Sequence, residues 1–408
     1  MKKQTGATLL VAGTCIGSGM ISLPMVLSQI GLIPSLLLML AMWAIIYYTA
    51  LISLELNLQA GKAMSLGDLG NHFSGKKAGL IGSSSFQILS FALISVYIYA
   101  GSSVIQKMLE FNYNTAFNFV NIATIYAIIT AILFIFPIKL VDYINRFLFV
   151  SLITVISILV GGMLLKINWQ NLPLFSHEYK TISPWIIIAP ILFTAFGFHG
   201  SLPTLIHYCD NNKEILKKVF LWGCCIPSLV YIIWTFSVLS VIFNENPAVY
   251  NKMINGGLDV GDLVKELSLI VNSKYVQTLV WWISLLAIIT SLIGVGISLC
   301  KTISTFISNR ISISNRPSNI ISSLITVIPA YLMAIIVPNA FIKILGFAGM
   351  ILVVIAIILP IYLLKKIDNI NLKCKELKDD LILALGAIGI IIIASEILNI
   401  YTNSAFNT

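Results

Sequence analysis

The groups best placed to do chemistry in this sequence are backbone groups, freed where apolar runs are interrupted. In Val11-Ala-Gly-Thr-Cys-Ile-Gly-Ser-Gly-Met-Ile-Ser-Leu-Pro24, three glycines and a proline stand inside the first long apolar run. Glycine carries no Cβ and proline no amide hydrogen. Gly13, Gly17, Gly19 and Pro24 therefore weaken a helix where lipid demands that every backbone group be paired. The helix is expected to unwind there. Broken backbone at membrane depth is tolerated only against protein or a water-filled cavity, which makes Gly13, Thr14, Cys15, Ile16, Gly17, Ser18 and Gly19 candidate binding residues. Plain packing competes with this reading, because small residues also let membrane helices approach closely.

Phe193-Thr-Ala-Phe-Gly-Phe-His-Gly-Ser-Leu-Pro-Thr204 repeats the anomaly, with Gly197, Gly200 and Pro203 inside another apolar run and His199 between the two glycines. Gly-Ser followed by Leu-Pro ends both stretches, as Gly17-Ser18 with Leu23-Pro24 and as Gly200-Ser201 with Leu202-Pro203. Phe196, Gly197, Phe198, His199 and Gly200 join the candidate site. Phe196 and Phe198 offer ring faces or simply pack. Gln87 or Ser90, in the third apolar run, offers a hydrogen bond to a ligand.

Few side chains near these stretches titrate. His199 can carry a proton, orient broken backbone or touch a ligand. Glu55, about nine residues from the middle of its run and so roughly 13 Å off centre, is a proton carrier, an inner-gate group or simply wetted by the cytoplasm. Glu396 sits outside the repeated core and reads as structural. Thr290 and Ser291 are hydroxyls in the eighth apolar run; such hydroxyls more often bond their own preceding carbonyls than a ligand or ion.

The elements that must hold these residues are membrane helices. A chain of 408 residues that is 58% hydrophobic and 10% charged, with mean hydropathy +0.96, is a polytopic all-α membrane protein with no soluble domain left over. Hydropathy gives eleven spans: 6–29, 32–60, 78–108, 118–137, 147–166, 184–206, 218–243, 276–300, 319–337, 341–364 and 380–400. Lys2 and Lys3 precede the first run without a cleavage site after it, so that run is read as a span that stays. With the N-terminus inside, eighteen of the 25 basic residues fall in cytoplasmic segments, and the seven outside are Lys107, Lys166, Lys180, Lys252, Lys265, Lys274 and Lys343. The positive-inside rule favours that orientation, with Thr408 outside. The net charge of +9 thus lies in alternate loops and does not point to nucleic acid.

The second interrupted run comes five spans after the first and must cross in the opposite sense. That is the pattern of an inverted repeat over 6–166 and 184–364, with 380–400 as an additional helix and a ligand site at the bilayer midplane. In the outer loop 244–275, Val260, Leu263, Val264, Leu267, Ile270 and Val271 fall at helical spacing after Gly256-Gly257. Asp259 or Asp262 is placed to cap that helix, which reads as a gate or as a helix resting at the interface. The remaining loops read as short and polar. Six cysteines (Cys15, Cys209, Cys224, Cys225, Cys300 and Cys374) form no CxxC and read as reduced thiols.

The Gly-Thr-Cys-Ile-Gly-Ser-Gly-Met run, the Phe-Gly-Phe-His-Gly-Ser-Leu-Pro run and Thr290-Ser-Leu-Ile-Gly-Val-Gly296 resemble the aromatic amino acid permeases, in particular the tyrosine-specific and tryptophan-specific group. That group lies within the hydroxy and aromatic amino acid permeases of the amino acid, polyamine and organocation superfamily. The resemblance covers nearly the whole chain, and serine and threonine carriers share much of the pattern. It implies a leucine-transporter-like fold of ten core helices, with broken first and sixth helices, and import of an amino acid across a bacterial inner membrane by proton symport. Tyrosine is the first expectation, with tryptophan, serine or threonine, or sodium coupling, as alternatives. No cofactor, metal or nucleic acid is implied.

An amino acid would bring a carboxylate and an ammonium into a region of low dielectric. Amides at Cys15 to Gly19 carry positive partial charge for the carboxylate, and carbonyls near Ala12, Gly13 and Ala195 to Gly197 can accept from the ammonium. An intramembrane enzyme would have to use His199 with Ser201, and no HExxH or GxSxG occurs. A channel lacks a ring of charged side chains for a filter.

Overall fold

The computed structural model describes residues 3–136, 138–270, 274–310, 315–337, 340–368 and 379–405, and no strand occurs among them. The first apolar run is two helices, α1 (Lys3–Cys15) and α2 (Ser18–Leu27), bent by 52° at their junction. There follow α3 (Leu32–Gln59), α4 (Leu66–Ser74), α5 (Lys76–Tyr113), α6 (Phe119–Ile135) and α7 (Ile138–Leu164). The second interrupted run is α8 (Ser183–Ala195), a 3-10 turn at His199–Ser201 and α9 (Leu202–Tyr208). The chain continues as α10 (Lys213–Glu245), α11 (Pro247–Ile254), α12 (Val260–Ile270), α13 (Lys274–Arg310) and α14 (Asn315–Ile336). It ends with α15 (Ala340–Val353), a π turn at Val354–Ile358, α16 (Leu359–Asp368) and α17 (Asp379–Ala405). Among the described residues nine helical segments are long and apolar enough to cross a membrane, or ten if α1 and α2 make one bent span. α6 is equally apolar but has 17 residues.

Both breaks form where the sequence weakens the ladder. The Ile16 amide still reaches the Ala12 carbonyl at 2.9 Å, while the Met20 amide reaches the Gly17 carbonyl at 3.0 Å across a tightened turn. At the second break the Gly197 amide closes on Thr194 at 2.9 Å, the 3-10 pattern of a helix end. Pro203 stands in the first turn of α9, where its missing amide hydrogen costs nothing.

α5 runs through the middle of the bundle and packs against α4, α6, α12, α13, α14 and α15. α8 packs against α2, α15 and α17, and α1 lies along α10. Small residues set these approaches. A Cβ on Gly349 of α15 would stand 2.0 Å from the Pro190 carbonyl oxygen, so only glycine lets α15 lie that close to α8.

Two stretches read as loops from the sequence are helices. α4 is capped by Ser65, whose hydroxyl accepts from the Asp68 amide at 3.2 Å, and its Gly70 allows contact with α5, since a Cβ there would meet the Ala78 backbone at 2.6 Å. α11 is capped by Asn246, which accepts from the Val249 amide at 3.3 Å. The helix expected from the apolar spacing after Gly257 is α12. The carboxylates of the two aspartates at its start reach across to α5: Asp259 accepts from Tyr99 at 3.2 Å and Ser103 at 2.5 Å, and Asp262 pairs with Lys107 at 3.2 Å. Cys15, Cys209, Cys224, Cys225 and Cys300 are free thiols. Cys374 lies outside the described residues.

Candidate functional site

The two interrupted helices meet at their breaks. The Cys15 thiol donates to the Phe196 carbonyl at 3.5 Å, which ties the end of α1 to the residue after α8. Above them the hydroxyl of Tyr231, from the middle of α10, lies 2.5 Å from the Cys15 carbonyl oxygen and 2.9 Å from that of Ala195. A phenol has one proton, so the two helix-end carbonyls share a single donor. The ring is fully buried and meets Phe196 edge to face, with centroids 5.2 Å apart. Gly19 completes the contact, because a Cβ there would stand 2.8 Å from that of Ala195 and 3.3 Å from the Tyr231 oxygen. The close approach of α2 to α8 thus needs glycine at that position.

The other residues of the first break face different neighbours. Gly17 lies against α13, where a Cβ would be 1.8 Å from the Ser291 oxygen. That hydroxyl is buried and has no hydrogen-bond partner. Thr290 beside it donates into its own helix, with the carbonyls of Leu286 and Ala287 at 2.9 and 3.1 Å. Gly13 faces the Phe149 ring, and Ile16 is wholly buried. Thr14 is exposed and bonds the Leu10 carbonyl at 2.7 Å. The side chain of Ser18 lies outside the described residues.

A cavity of about 260 Å³ opens beside the second break. α3 lines it with Ser53 and Asn57, the α4 segment with Met64, Ser65, Leu66, Gly67 and Leu69, α5 with Gly82, Ser83, Phe86 and Gln87, and α13 with Ser298 and Thr302. His199, Gly200, Leu202 and Pro203 close it from the break and Ile355 from the π turn. The structure therefore brings Gln87, His199 and Gly200 together. Among the described residues none of 12–17, 19 and 20 lines this cavity, nor do Phe196 and Phe198. Phe198 packs on Phe220, 5.7 Å between centroids. Ser90 is one turn along α5, donating to the Phe86 carbonyl at 2.8 Å. Among the described residues no Asp, Glu, Lys or Arg lines the cavity, so it offers apolar walls with neutral hydrogen-bonding groups.

His199 is 5% exposed, with Nε2 3.0 Å from the Thr49 hydroxyl and Nδ1 without a partner. Ser201, the one hydroxyl that a hydrolytic reading would pair with it, donates instead to the Phe198 carbonyl at 2.8 Å. Glu55 stands apart from the cavity, paired with Lys213 at 3.2 Å and accepting from Gln59 at 3.0 Å. That pair ties the end of α3 to the start of α10, and Lys3 pairs with Asp210 at the same end of the molecule. Glu396 is buried in α17, the helix packed behind α8 and α15, with Asn399 3.4 Å from one oxygen.

Two residues of the site escape sequence reasoning, Tyr231 and Thr49. Each is one of several hydroxyls in an apolar run, and its partner is backbone or imidazole far away in the chain.

The sequence pattern of the tryptophan/tyrosine permease family matches residues 1–401. The tyrosine-specific transport system 1 of Haemophilus influenzae is 31% identical over 366 residues, covering 90% of this chain and 88% of that protein. The tryptophan-specific transport protein of the same organism is 26% identical, covering 88% of this chain and 86% of its own. Glutamine transporter 2 of Aliivibrio fischeri is 27% identical, covering 88% of each. Match and membrane-spanning helices agree over the length of the chain. It belongs to the tryptophan/tyrosine permease family, and is a multi-pass membrane protein that transports amino acids rather than an enzyme.

Proposed function

We propose that this protein imports an aromatic amino acid, tyrosine first, across the bacterial inner membrane by proton symport with alternating access. The observation that carries this reading is the meeting of the two helix breaks, joined through Cys15, Phe196 and Tyr231 beside a cavity lined, among the described residues, by no charged side chain. A zwitterion needs unpaired amides for its carboxylate and carbonyls for its ammonium. α2 starts at Ser18, so the amides of Gly17 to Gly19 stand at a helix N-terminus with no carbonyl one turn back. The carbonyls of Cys15 and Ala195 each have two lone pairs, so an ammonium can share them with Tyr231. Gln87, which lines the cavity, and Ser90, one turn along α5, are the proposed polar contacts for the ring, with Phe196 and Phe198 packed behind the break.

The architecture proposed is a leucine-transporter-like inverted repeat of eleven spans. α6 counts as one span, 6–166 and 184–364 are the two repeats, and α17 is additional. Described lysines at the cavity end, among them Lys62, Lys76, Lys77, Lys213 and Lys301, support a cytoplasmic N-terminus and a cavity open to the cytoplasm. His199 and Glu55 are the proton-coupling candidates. Sodium is the alternative, with Thr290 and Ser291 as its hydroxyls, and the bonds of Thr290 into its own helix speak for protons.

Uptake of radiolabelled tyrosine into proteoliposomes, competed by all twenty amino acids, tests the cargo. Competition by tyrosine and tryptophan at the lowest concentrations supports the reading, and competition by glutamine ahead of both overturns it. The polar lining of the cavity and the glutamine transporter among the relatives make glutamine the second cargo to test.

A further inference from the structure

The Thr49 hydroxyl makes two contacts and has one proton. Its oxygen is 2.9 Å from the Ile46 carbonyl in its own helix and 3.0 Å from Nε2 of His199. A carbonyl can only accept, so both contacts are hydrogen bonds in one arrangement alone: the hydroxyl donates to Ile46 and accepts from an Nε2–H. The reverse arrangement, with the hydroxyl donating to Nε2, gives up the bond to Ile46. A neutral imidazole has a single N–H. With that hydrogen on Nε2, Nδ1 is a bare acceptor, and it is buried with no protein partner. His199 also lines the cavity, whose walls otherwise combine Phe86, Leu202 and Ile355 with neutral polar groups. Nδ1 is covered in this conformation; once movement at the break uncovers it towards the cavity, an unpaired acceptor favours a guest that brings a donor and disfavours one of the same shape without it.

We propose that Thr49 is a positioning residue that holds His199 as an Nδ1 acceptor for a hydrogen-bond donor on the ring of the cargo. A phenol O–H or an indole N–H satisfies it, and an unsubstituted phenyl ring does not. This rests on the aromatic amino acid reading above and adds the group that discriminates within that class. Loss of one such bond in a buried site corresponds to a preference of about tenfold or more for tyrosine over phenylalanine.

The test uses the purified full-length protein in two measurements. Nitrogen NMR on histidine-labelled protein, with His199→Gln to assign the signal, reads the tautomer: hydrogen on Nε2 and a bare Nδ1 are expected. Thr49→Val, which keeps the shape and removes the hydroxyl, should shift that signal towards a mixture of tautomers, and Thr49→Ser should restore it. Competition of labelled tyrosine uptake by phenylalanine reads selectivity. The wild type should prefer tyrosine at least tenfold, Thr49→Val should bring the ratio close to one, and Thr49→Ser should recover it. A wild type that carries its hydrogen on Nδ1, or that takes phenylalanine as readily as tyrosine, overturns the proposal. So does Thr49→Val with its selectivity intact. If Thr49→Val does not fold, the wild-type tautomer and the serine variant decide. If no aromatic amino acid is taken up at all, the cargo reading above fails, and the nitrogen spectrum still tests the hold of Thr49 on His199.

Discussion

Tyr231 and Cys15, 216 positions apart in sequence, are joined by a hydrogen bond of 2.5 Å from the phenol to the carbonyl that ends α1. The same oxygen lies 2.9 Å from the carbonyl of Ala195, the last residue of α8. One side chain on an unbroken helix therefore holds both broken ones, and any movement that separates α1 from α8 has to break this contact. Tyr231→Phe keeps the ring against Phe196 and deletes only the hydroxyl. The expected result is a fall in transport rate of about tenfold or more with a lowered thermal midpoint, since leaving buried carbonyls unpaired costs about 1–3 kcal/mol. Uptake rate and melting on the same preparation check it, and a wild-type rate would remove Tyr231 from the account.

Gly17 and Ser291 make a second pair that can be tested jointly. Gly17→Ala puts a Cβ 1.8 Å from the Ser291 oxygen and 3.0 Å from its Cβ, so overpacking of about 1–3 kcal/mol is expected at the first break. Gly17→Leu should abolish uptake in protein that still reaches the membrane. Gly17→Ala with Ser291→Gly removes the clash and should recover most of the activity lost in the single variant. If the double variant is as poor as Gly17→Ala, the glycine serves the approach of substrate rather than of α13.

Glu55 holds Lys213 at 3.2 Å at the end of α3, away from the cavity. Glu55→Gln keeps the shape and removes the charge. Substrate binding should survive while accumulation against a gradient weakens or loses its pH dependence. Binding and driven uptake on one purified variant, from mildly acidic to mildly alkaline pH, separate the two. Normal accumulation at every pH would leave Glu55 as a structural ion pair.

The breaks themselves were legible, because glycine and proline in an apolar run announce a helix that cannot continue. The same holds for the helices: α3, α5, α10, α13 and α17 stand within a few residues of the apolar runs that predict them, except that α13 extends ten residues further, to Arg310. α4 was not legible, since Gly67 and Gly70 argue against a helix in isolation; there the close contact with α5 that glycine permits outweighs local propensity. Phe196 and Phe198 show the limit at the site. Their position beside the break is written in the sequence, but whether a ring faces a cavity or packs on Tyr231 and Phe220 depends on helices far away in the chain. Tyr231 and Thr49 were invisible for a related reason, because backbone carbonyls and ring tautomers leave no trace in a residue alphabet.

Proton-driven accumulation of tyrosine by the purified protein in proteoliposomes tests the central claim most directly. An inward proton gradient is imposed, sodium is replaced by choline, and labelled tyrosine is followed with and without a protonophore. The account predicts saturable accumulation above equilibrium that collapses with the protonophore and is unchanged by the loss of sodium. Purely downhill flux, or accumulation that requires sodium at a constant proton gradient, would contradict it.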